Sequence, residues 1–164
     1  MGGGGGSPLG TASGIALSGA QIFNGLDGNG LDAVQNEYRS LDLCLSHPSP
    51  FGQYHYHSWS NCIHNGSKTT IPGKCIDNSG CVDNALEWGR MDGWADTYGN
   101  FGGIVGVAKD GHPIYGPYNE NGEVWTCDDH DICNGRFFEN GSYGYVSTMT
   151  HPYVLGCWGP APMK

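Results

Sequence analysis

Residues 44–57 read CLSHPSPFGQYHYH, and residues 133–146 read CNGRFFENGSYGYV. Self-similarity at a fixed offset is the sequence signature of a repeated structural unit. Four positions are identical between the two stretches without a gap: Cys44 with Cys133, Gly52 with Gly141, Tyr54 with Tyr143, and Tyr56 with Tyr145. The two stretches therefore predict that one folding unit occurs twice in this chain.

The similarity extends outward in both directions from these stretches. Upstream, residues 14–19 (GIALSG) match residues 106–111 (GVAKDG), and the pair Ile-Phe at 22–23 matches Ile-Tyr at 114–115. Downstream, one cysteine closes each copy, Cys62 in the first and Cys157 in the second.

These matches divide the chain into two related halves. We predict halves at about residues 13–63 and 105–158, with a connector at 64–104 that is rich in Trp and Gly. Residues 1–13 are predicted to be a Gly-rich flexible or extended segment, and residues 14–164 a single domain.

Composition excludes several classes of protein. The 164 residues fit one domain, and seven Lys and Arg against sixteen Asp and Glu give a net charge of −9. Because an acidic chain repels phosphates, we expect no nucleic-acid partner. No apolar run approaches the roughly 20 residues that a membrane span needs, so we expect none. Five Trp, nine Tyr and seven Cys supply buried area and cross-links in place of the scarce aliphatic residues.

Turn signals predict the fold class. Six Asn-Gly and three Asp-Gly dipeptides tolerate the positive φ of tight hairpin turns, so they favour many short antiparallel strands. The predicted fold is mainly β: a small disulfide-stabilised antiparallel β domain built from two related halves, with short helices and long loops. A helix is predicted over residues 31–42 and, from a weaker pattern, over 82–89.

The seven cysteines indicate an oxidising compartment, because no CxxC or other close metal-binding spacing occurs. We therefore expect an extracellular or cell-surface protein, and two Asn-x-Ser sequons, at Asn65 and Asn140, predict glycosylation there. The repeat favours one bridge in each half and a third in the connector, although many other arrangements stay open, and it leaves Cys127 over. The favoured pairs are Cys44 with Cys62, Cys133 with Cys157, and Cys75 with Cys81.

The tetrapeptide Tyr-His-Tyr-His at 54–57 carries the main candidate site. Strand alternation places the two Tyr on one face, which we expect to be the packed face, and the two His on the other. In the second half the residues at the positions of His47, His55 and His57 are Arg, Gly and Val, so all three histidines are lost together. Three imidazoles can bind Zn²⁺ or Cu²⁺. The alternative is a half-buried strand whose histidines bond to a neighbouring loop.

Two acidic clusters and the tryptophans offer further candidate sites. Residues 27–32 and 128–131 could hold Ca²⁺, although neither follows a calcium-loop pattern, so calcium is the less favoured ion. Exposed Trp rings could stack on sugars, whereas the alternative is that they pack in the core. The tryptophans are Trp59, Trp88, Trp94, Trp125 and Trp158.

The sequence resembles the YHYH domain family, named for the tetrapeptide at 54–57. The resemblance covers nearly all of residues 14–158 and rests on Cys-x-x-His-Pro at 44–48, Gly-x-Tyr-His-Tyr-His at 52–57, Ile-Tyr-Gly-Pro at 114–117 and Asp-Ile-Cys-Asn-Gly-Arg at 131–136. It implies a secreted or surface protein of a family with no established enzymatic activity.

Three functions remain as hypotheses at this point. The favoured one is a non-enzymatic extracellular structural or assembly module, a subunit of a surface fibre or filament that associates with itself by donating its N-terminal segment. The alternative is a secreted copper- or zinc-binding protein that uses the YHYH histidines. A further alternative is a carbohydrate-binding module with glycans as partners.

Overall fold

The fold is given by a computed structural model that describes residues 10–42, 44–60, 62–65, 103–161 and 163. The predicted Cys75–Cys81 bridge, the predicted helix at 82–89, and the candidate residues Trp88 and Trp94 lie outside the described residues.

Both halves contribute four short strands to one sheet. The first half has β1 (Ala12–Ala16), β2 (Gln21–Phe23), β3 (Ser46–Pro48) and β4 (Tyr54–Tyr56), with two short helices, α1 (Ala33–Asn36) and α2 (Cys62–Asn65). The second half has β5 (Ile104–Ala108), β6 (Pro113–Tyr115), β7 (Gly135–Phe137) and β8 (Tyr143–Val146). Within the described part of the chain, no helix has the length and apolar character to cross a bilayer.

The strand order repeats about the middle of the sheet. The order β3-β4-β2-β1-β5-β6-β8-β7 reads the same from either edge when each strand is exchanged for its counterpart in the other half. The central strands β1 and β5 are antiparallel, and Ile15 lies opposite Val107, its own counterpart. Even the irregularity in β1 after Ala12 recurs in β5 after Ile104. The predictions of a mainly β fold and of two related halves are confirmed.

The sheet is mixed, because two of its strand pairings are parallel where we predicted antiparallel strands. Strand β2 pairs parallel with β4, and β6 pairs parallel with β8. A parallel pair needs a long connection between its strands, and in each half the chain makes one before returning as a hairpin, β3-β4 or β7-β8. Turn dipeptides predict hairpins, but they do not predict which strand of the sheet a hairpin will pair with, or whether that pairing is parallel.

The core lies against this sheet and is partly aromatic. Trp59 and Tyr145 are among its largest fully buried side chains, beside Ile22, Ile114 and Leu155. Trp125 is also buried, with its indole N–H donating to the Gly116 carbonyl at 3.0 Å. The rings of Trp59 and Trp125 therefore serve packing and present no face to a sugar.

Helix α1 is shorter than the predicted helix at 31–42. It begins after Asp32, whose carboxylate accepts the backbone N–H of Gln35 at 3.1 Å, and it ends at Asn36. Beyond it the chain continues in tight turns, with the N–H of Ser40 bonded to the carbonyl of Glu37. Leu31 is 54 % exposed, so the predicted apolar face does not begin there.

One disulfide closes each half. Cys44 is bonded to Cys62 across a Cα–Cα distance of 5.6 Å, and Cys133 to Cys157 across 4.7 Å. These are the pairs that the repeat favours. Cys127 is exposed and has a free thiol.

Candidate metal centre

The hairpin of β3 and β4 brings the three candidate histidines together. His47 and His55 are direct cross-strand partners, and His57 follows two residues after His55 on the same side of the chain. The turn between the strands is tight, because Gly52 adopts a φ of 81° that suits glycine and its N–H bonds to the Ser49 carbonyl. Sequence spacing and turn geometry together fix which histidines meet.

The Nε2 atoms of the three histidines lie close together, because the ligand atoms of this group are all within 4.8 Å of one another. The Nε2 atoms of His47 and His55 lie 3.0 Å apart, and those of His55 and His57 also lie 3.0 Å apart. Two ligand atoms that lie about 2.0–2.1 Å from one metal ion, with a ligand–metal–ligand angle near 90°, would be about 2.9 Å from each other. The imidazoles therefore already stand at the separations that a shared ion requires.

Hydrogen bonds at the opposite ring nitrogens decide the tautomers. The Nδ1 of His55 contacts the Gln53 carbonyl at 3.0 Å, and the Nδ1 of His57 contacts the Asn24 carbonyl at 2.7 Å. A carbonyl can only accept, so both Nδ1 atoms carry the proton. Each Nε2 is then left as a lone pair that faces the others.

His47 has the same tautomer for a different reason. Its Nδ1 lies 2.7 Å from the hydroxyl of Ser40, and that hydroxyl donates its one proton to the Glu37 carbonyl at 2.8 Å. Ser40 must therefore accept from His47, whose Nε2 is again an unprotonated lone pair. Ligating histidines commonly show this arrangement, with the outer nitrogen held by a carbonyl or hydroxyl.

Three lone pairs at this separation repel one another unless a cation lies between them. Protonation of a ring would also relieve this repulsion, but it is unfavourable at neutral pH. Burial lowers the pKa of His47 and His55 and lowers that of His57 to about 4. For His57 burial is the largest cause of this lowering of the pKa, and the neighbouring His55 and His47 contribute to it. At neutral pH the cluster is a set of neutral imidazoles suited to a metal ion.

A carboxylate with no sequence signal lies beside two of the three imidazoles. The Oε2 atom of Glu37 lies 3.5 Å from the Nε2 of His47 and 3.4 Å from the Nε2 of His57. Burial raises the pKa of Glu37, and the nearby negative charge of Asp27 raises it further. Glu37 and Ser40 belong to no spacing motif with the histidines, so sequence alone carried no signal for them.

Both faces of β4 are buried in part: Tyr56, on the face that we predicted to be packed, is 3 % exposed, and the histidine face is buried too. His55 and His57 are each 3 % exposed, whereas Tyr54 is 38 % exposed. The ring of Phe23 stacks on His55 with centroids 4.0 Å apart. Tyr54 is structural all the same, because its hydroxyl donates to Asp42, as the hydroxyl of Tyr143 donates to Asp131 in the second half.

The second half fills the equivalent place differently. The counterpart of His47 is Arg136, whose guanidinium lies 4.6 Å from the centre of the Trp125 ring. The counterpart of His55 is Gly144, where an added Cβ would come within 2.9 Å of the Tyr115 ring. Among the residues that the structure describes, one group of three or more His, Cys, Asp or Glu side chains is placed to hold a metal ion. It consists of His47, His55 and His57.

Carboxylates in the two acidic clusters accept hydrogen bonds from the turns in which they lie. The Oδ1 atom of Asp27 accepts the backbone N–H groups of Asn29 and Leu31, and its Oδ2 accepts the Asn36 amide. Asp131 is buried and likewise accepts two backbone N–H groups through Oδ1. These carboxylates act as hydrogen-bond acceptors within their turns, and calcium binding at either cluster stays a prediction.

The predicted glycosylation sites stay predictions. Asn140 is exposed, and its side-chain oxygen accepts from Ser142 at 2.9 Å in a turn. The side chain of Asn65 lies outside the described residues.

A family model described as YHYH protein matches residues 8–127, which is most of the chain and includes the histidine cluster. The chain matches no curated protein and no solved structure.

Proposed function

The chain belongs to the YHYH protein family, and from the geometry of its histidine cluster we propose that it binds one transition-metal ion, zinc or copper, through His47, His55 and His57. One observation carries the proposal: three buried Nε2 lone pairs face one another, with their tautomers fixed by hydrogen bonds at Nδ1. The function is binding, and we assign no catalytic residue.

The proposed setting is extracellular. Disulfides persist in oxidising compartments, and the bridge of Cys44 and Cys62 encloses the segment that carries all three histidines. The site is thus protected by a cross-link that reducing conditions would remove. Glycosylation at Asn65 and Asn140 would accord with the same compartment.

The test is metal analysis of the purified protein, followed by titration of the metal-free form with Zn²⁺ and Cu²⁺. We expect one equivalent of ion per chain, lost in the double variant His55→Ala/His57→Ala. His151→Ala is the matched control, because His151 is exposed and remote in sequence from the cluster. A native protein that takes up neither ion would overturn the proposal.

A second candidate function is self-association, as expected for a surface fibre. It is supported by exposed apolar side chains on the central strands and just beyond β1. Ile15 in β1 is 60 % exposed, Val107 in β5 is 48 % exposed, and Leu17, directly after β1, is 57 % exposed. Such a row, contacting the same row on a second copy, would bury apolar area. Residues 12–16, by contrast, pair within their own sheet as β1, so a donated segment would have to lie before them.

Sedimentation over a range of concentrations tests this second candidate. We expect oligomers that the variant Ile15→Lys/Val107→Lys abolishes, with Leu31→Lys as a control at an exposed apolar residue elsewhere. A protein that sediments as a monomer at every concentration would contradict it.

A further inference from the structure

We propose that Glu37 is the fourth protein ligand and that it makes the histidine cluster a closed, four-coordinate site for a divalent ion such as Zn²⁺. This inference rests on the proposed metal-binding function and goes beyond it in naming the shell and the charge of the ion. It is carried by the position of one carboxylate oxygen.

The first argument is geometric. Two ligand atoms bound at about 2.0–2.1 Å in a tetrahedral arrangement lie about 3.3–3.4 Å apart. The Oε2 atom of Glu37 lies 3.4 Å from the Nε2 of His57 and 3.5 Å from the Nε2 of His47. These separations match the edges of a tetrahedron and are too long for good hydrogen bonds. The 3.0 Å separations between the imidazole Nε2 atoms are shorter than a tetrahedral edge, so binding of a tetrahedral ion would have to open them by a few tenths of an ångström.

The second argument is that this oxygen is buried and unsatisfied. The Oε2 atom has no hydrogen-bond partner among the described residues. A buried carboxylate oxygen without a donor costs free energy, and the three imidazoles offer it only lone pairs. A metal ion bound by the histidines and by Oε2 would satisfy this oxygen together with the imidazole lone pairs.

The third argument concerns backbone support. Glu37 stands directly after α1, where its N–H bonds to the Ala33 carbonyl, and its own carbonyl accepts the hydroxyl of Ser40. Ser40 in turn accepts the Nδ1 proton of His47. The segment that supplies the carboxylate therefore also orients one of the imidazoles, so these two ligands are positioned as a unit.

The charge of Glu37 selects the oxidation state of the ion. A carboxylate attracts a doubly charged ion twice as strongly as a singly charged one at the same distance. An oxygen ligand also suits Zn²⁺ better than the softer Cu⁺. With four protein ligands, no coordination position remains open for the water that a hydrolytic zinc site uses. The site thus retains an ion and does not activate water.

Glu37→Gln is the informative variant, because it keeps the shape of the side chain and removes its charge. We expect the affinity for Zn²⁺, measured against a competing chelator, to fall at least about tenfold, and that for Cu⁺ to fall less. Glu37→Asp keeps the charge on a shorter stem and should lie between Gln and the wild type for Zn²⁺. Glu123→Gln in the second half is the control.

Cobalt(II) absorption gives a second readout that does not depend on affinity. The wild type should show the intense visible bands of a four-coordinate ion, and Glu37→Gln a shifted spectrum from its altered shell. Unchanged zinc affinity and an unchanged spectrum in Glu37→Gln, with binding still lost in His55→Ala/His57→Ala, would overturn the role of Glu37 alone. A wild type that binds no ion would overturn the proposed function as well.

Discussion

At the scale of single residues, each ring of the cluster is oriented by one hydrogen bond. Two of the Nδ1 partners are backbone carbonyls, of Gln53 and Asn24, which no side-chain substitution removes. The third is the hydroxyl of Ser40, which a substitution can remove without touching a ligand. Ser40 is therefore the place where ring orientation can be tested apart from ligation.

We predict that Ser40→Ala weakens Zn²⁺ binding about tenfold without abolishing it. The loss of the acceptor frees the His47 ring to rotate and to change its tautomer, and partners of this kind are worth 10- to 100-fold in affinity. Ser142→Ala serves as the control, because its hydroxyl bonds only within an exposed turn of the second half. Equal affinity in Ser40→Ala and the wild type, by chelator competition, would contradict this role.

At the scale of elements, the sequence predicted that His55 and His57 share one face of a strand, but it predicted neither the hairpin that adds His47 nor the helix end that carries Glu37. Alternation in Tyr54–Tyr56 and its extension to His57 placed His55 and His57 on one side, and the structure brings them together. The pattern of 31–42, by contrast, predicted a helix running through Glu37. The helix ends at Asn36 because the chain turns there, and periodicity does not record such a turn.

The parallel pairings escaped prediction for a related reason. The side on which a returning hairpin joins β2 or β6 depends on packing across some 20 to 30 residues of connection, which turn dipeptides do not encode. The repeat did predict that a strand pairing found in one half recurs in the other. The Cys44–Cys62 and Cys133–Cys157 bridges accordingly occupy equivalent places.

Removing each of these two disulfides in turn gives a matched pair of variants. They close sequence separations of 18 and 24 residues, so removing either one should lower the free energy of unfolding by a similar amount, about 3 kcal/mol. Only Cys44→Ser/Cys62→Ser should also weaken Zn²⁺ binding, because that bridge encloses the histidine segment. Denaturant unfolding and metal titration measure the two effects. Equal loss of affinity in Cys133→Ser/Cys157→Ser would mean that the site depends on overall stability alone.

At the scale of the whole molecule, a symmetric sheet carries an asymmetric site. The strand pairings and turn hydrogen bonds recur in both halves, yet the counterparts of His47, His55 and His57 are Arg136, Gly144 and Val146. A guanidinium stacked on Trp125 stands in the second half as a permanent cation, where the first half has ligands for a removable one. The sheet that stabilises the fold is therefore common to both halves, whereas the residues of the candidate metal site occur in the first half.

This asymmetry predicts the stoichiometry and the stability of the loaded protein together. Titration with Zn²⁺ should saturate at one ion per chain, and Zn²⁺ at 100 times its Kd should raise the free energy of unfolding by about 2.7 kcal/mol, since the folded form alone has the assembled site. For a chain of this size that corresponds to a rise in Tm of roughly 5 to 10 °C. The increment should vanish in His55→Ala/His57→Ala and persist in Arg136→Ala, whatever the latter variant's own stability. Saturation at two ions per chain, or an equal rise in Tm for His55→Ala/His57→Ala, would show that Zn²⁺ binds at another place. Either result would contradict binding by the three histidines.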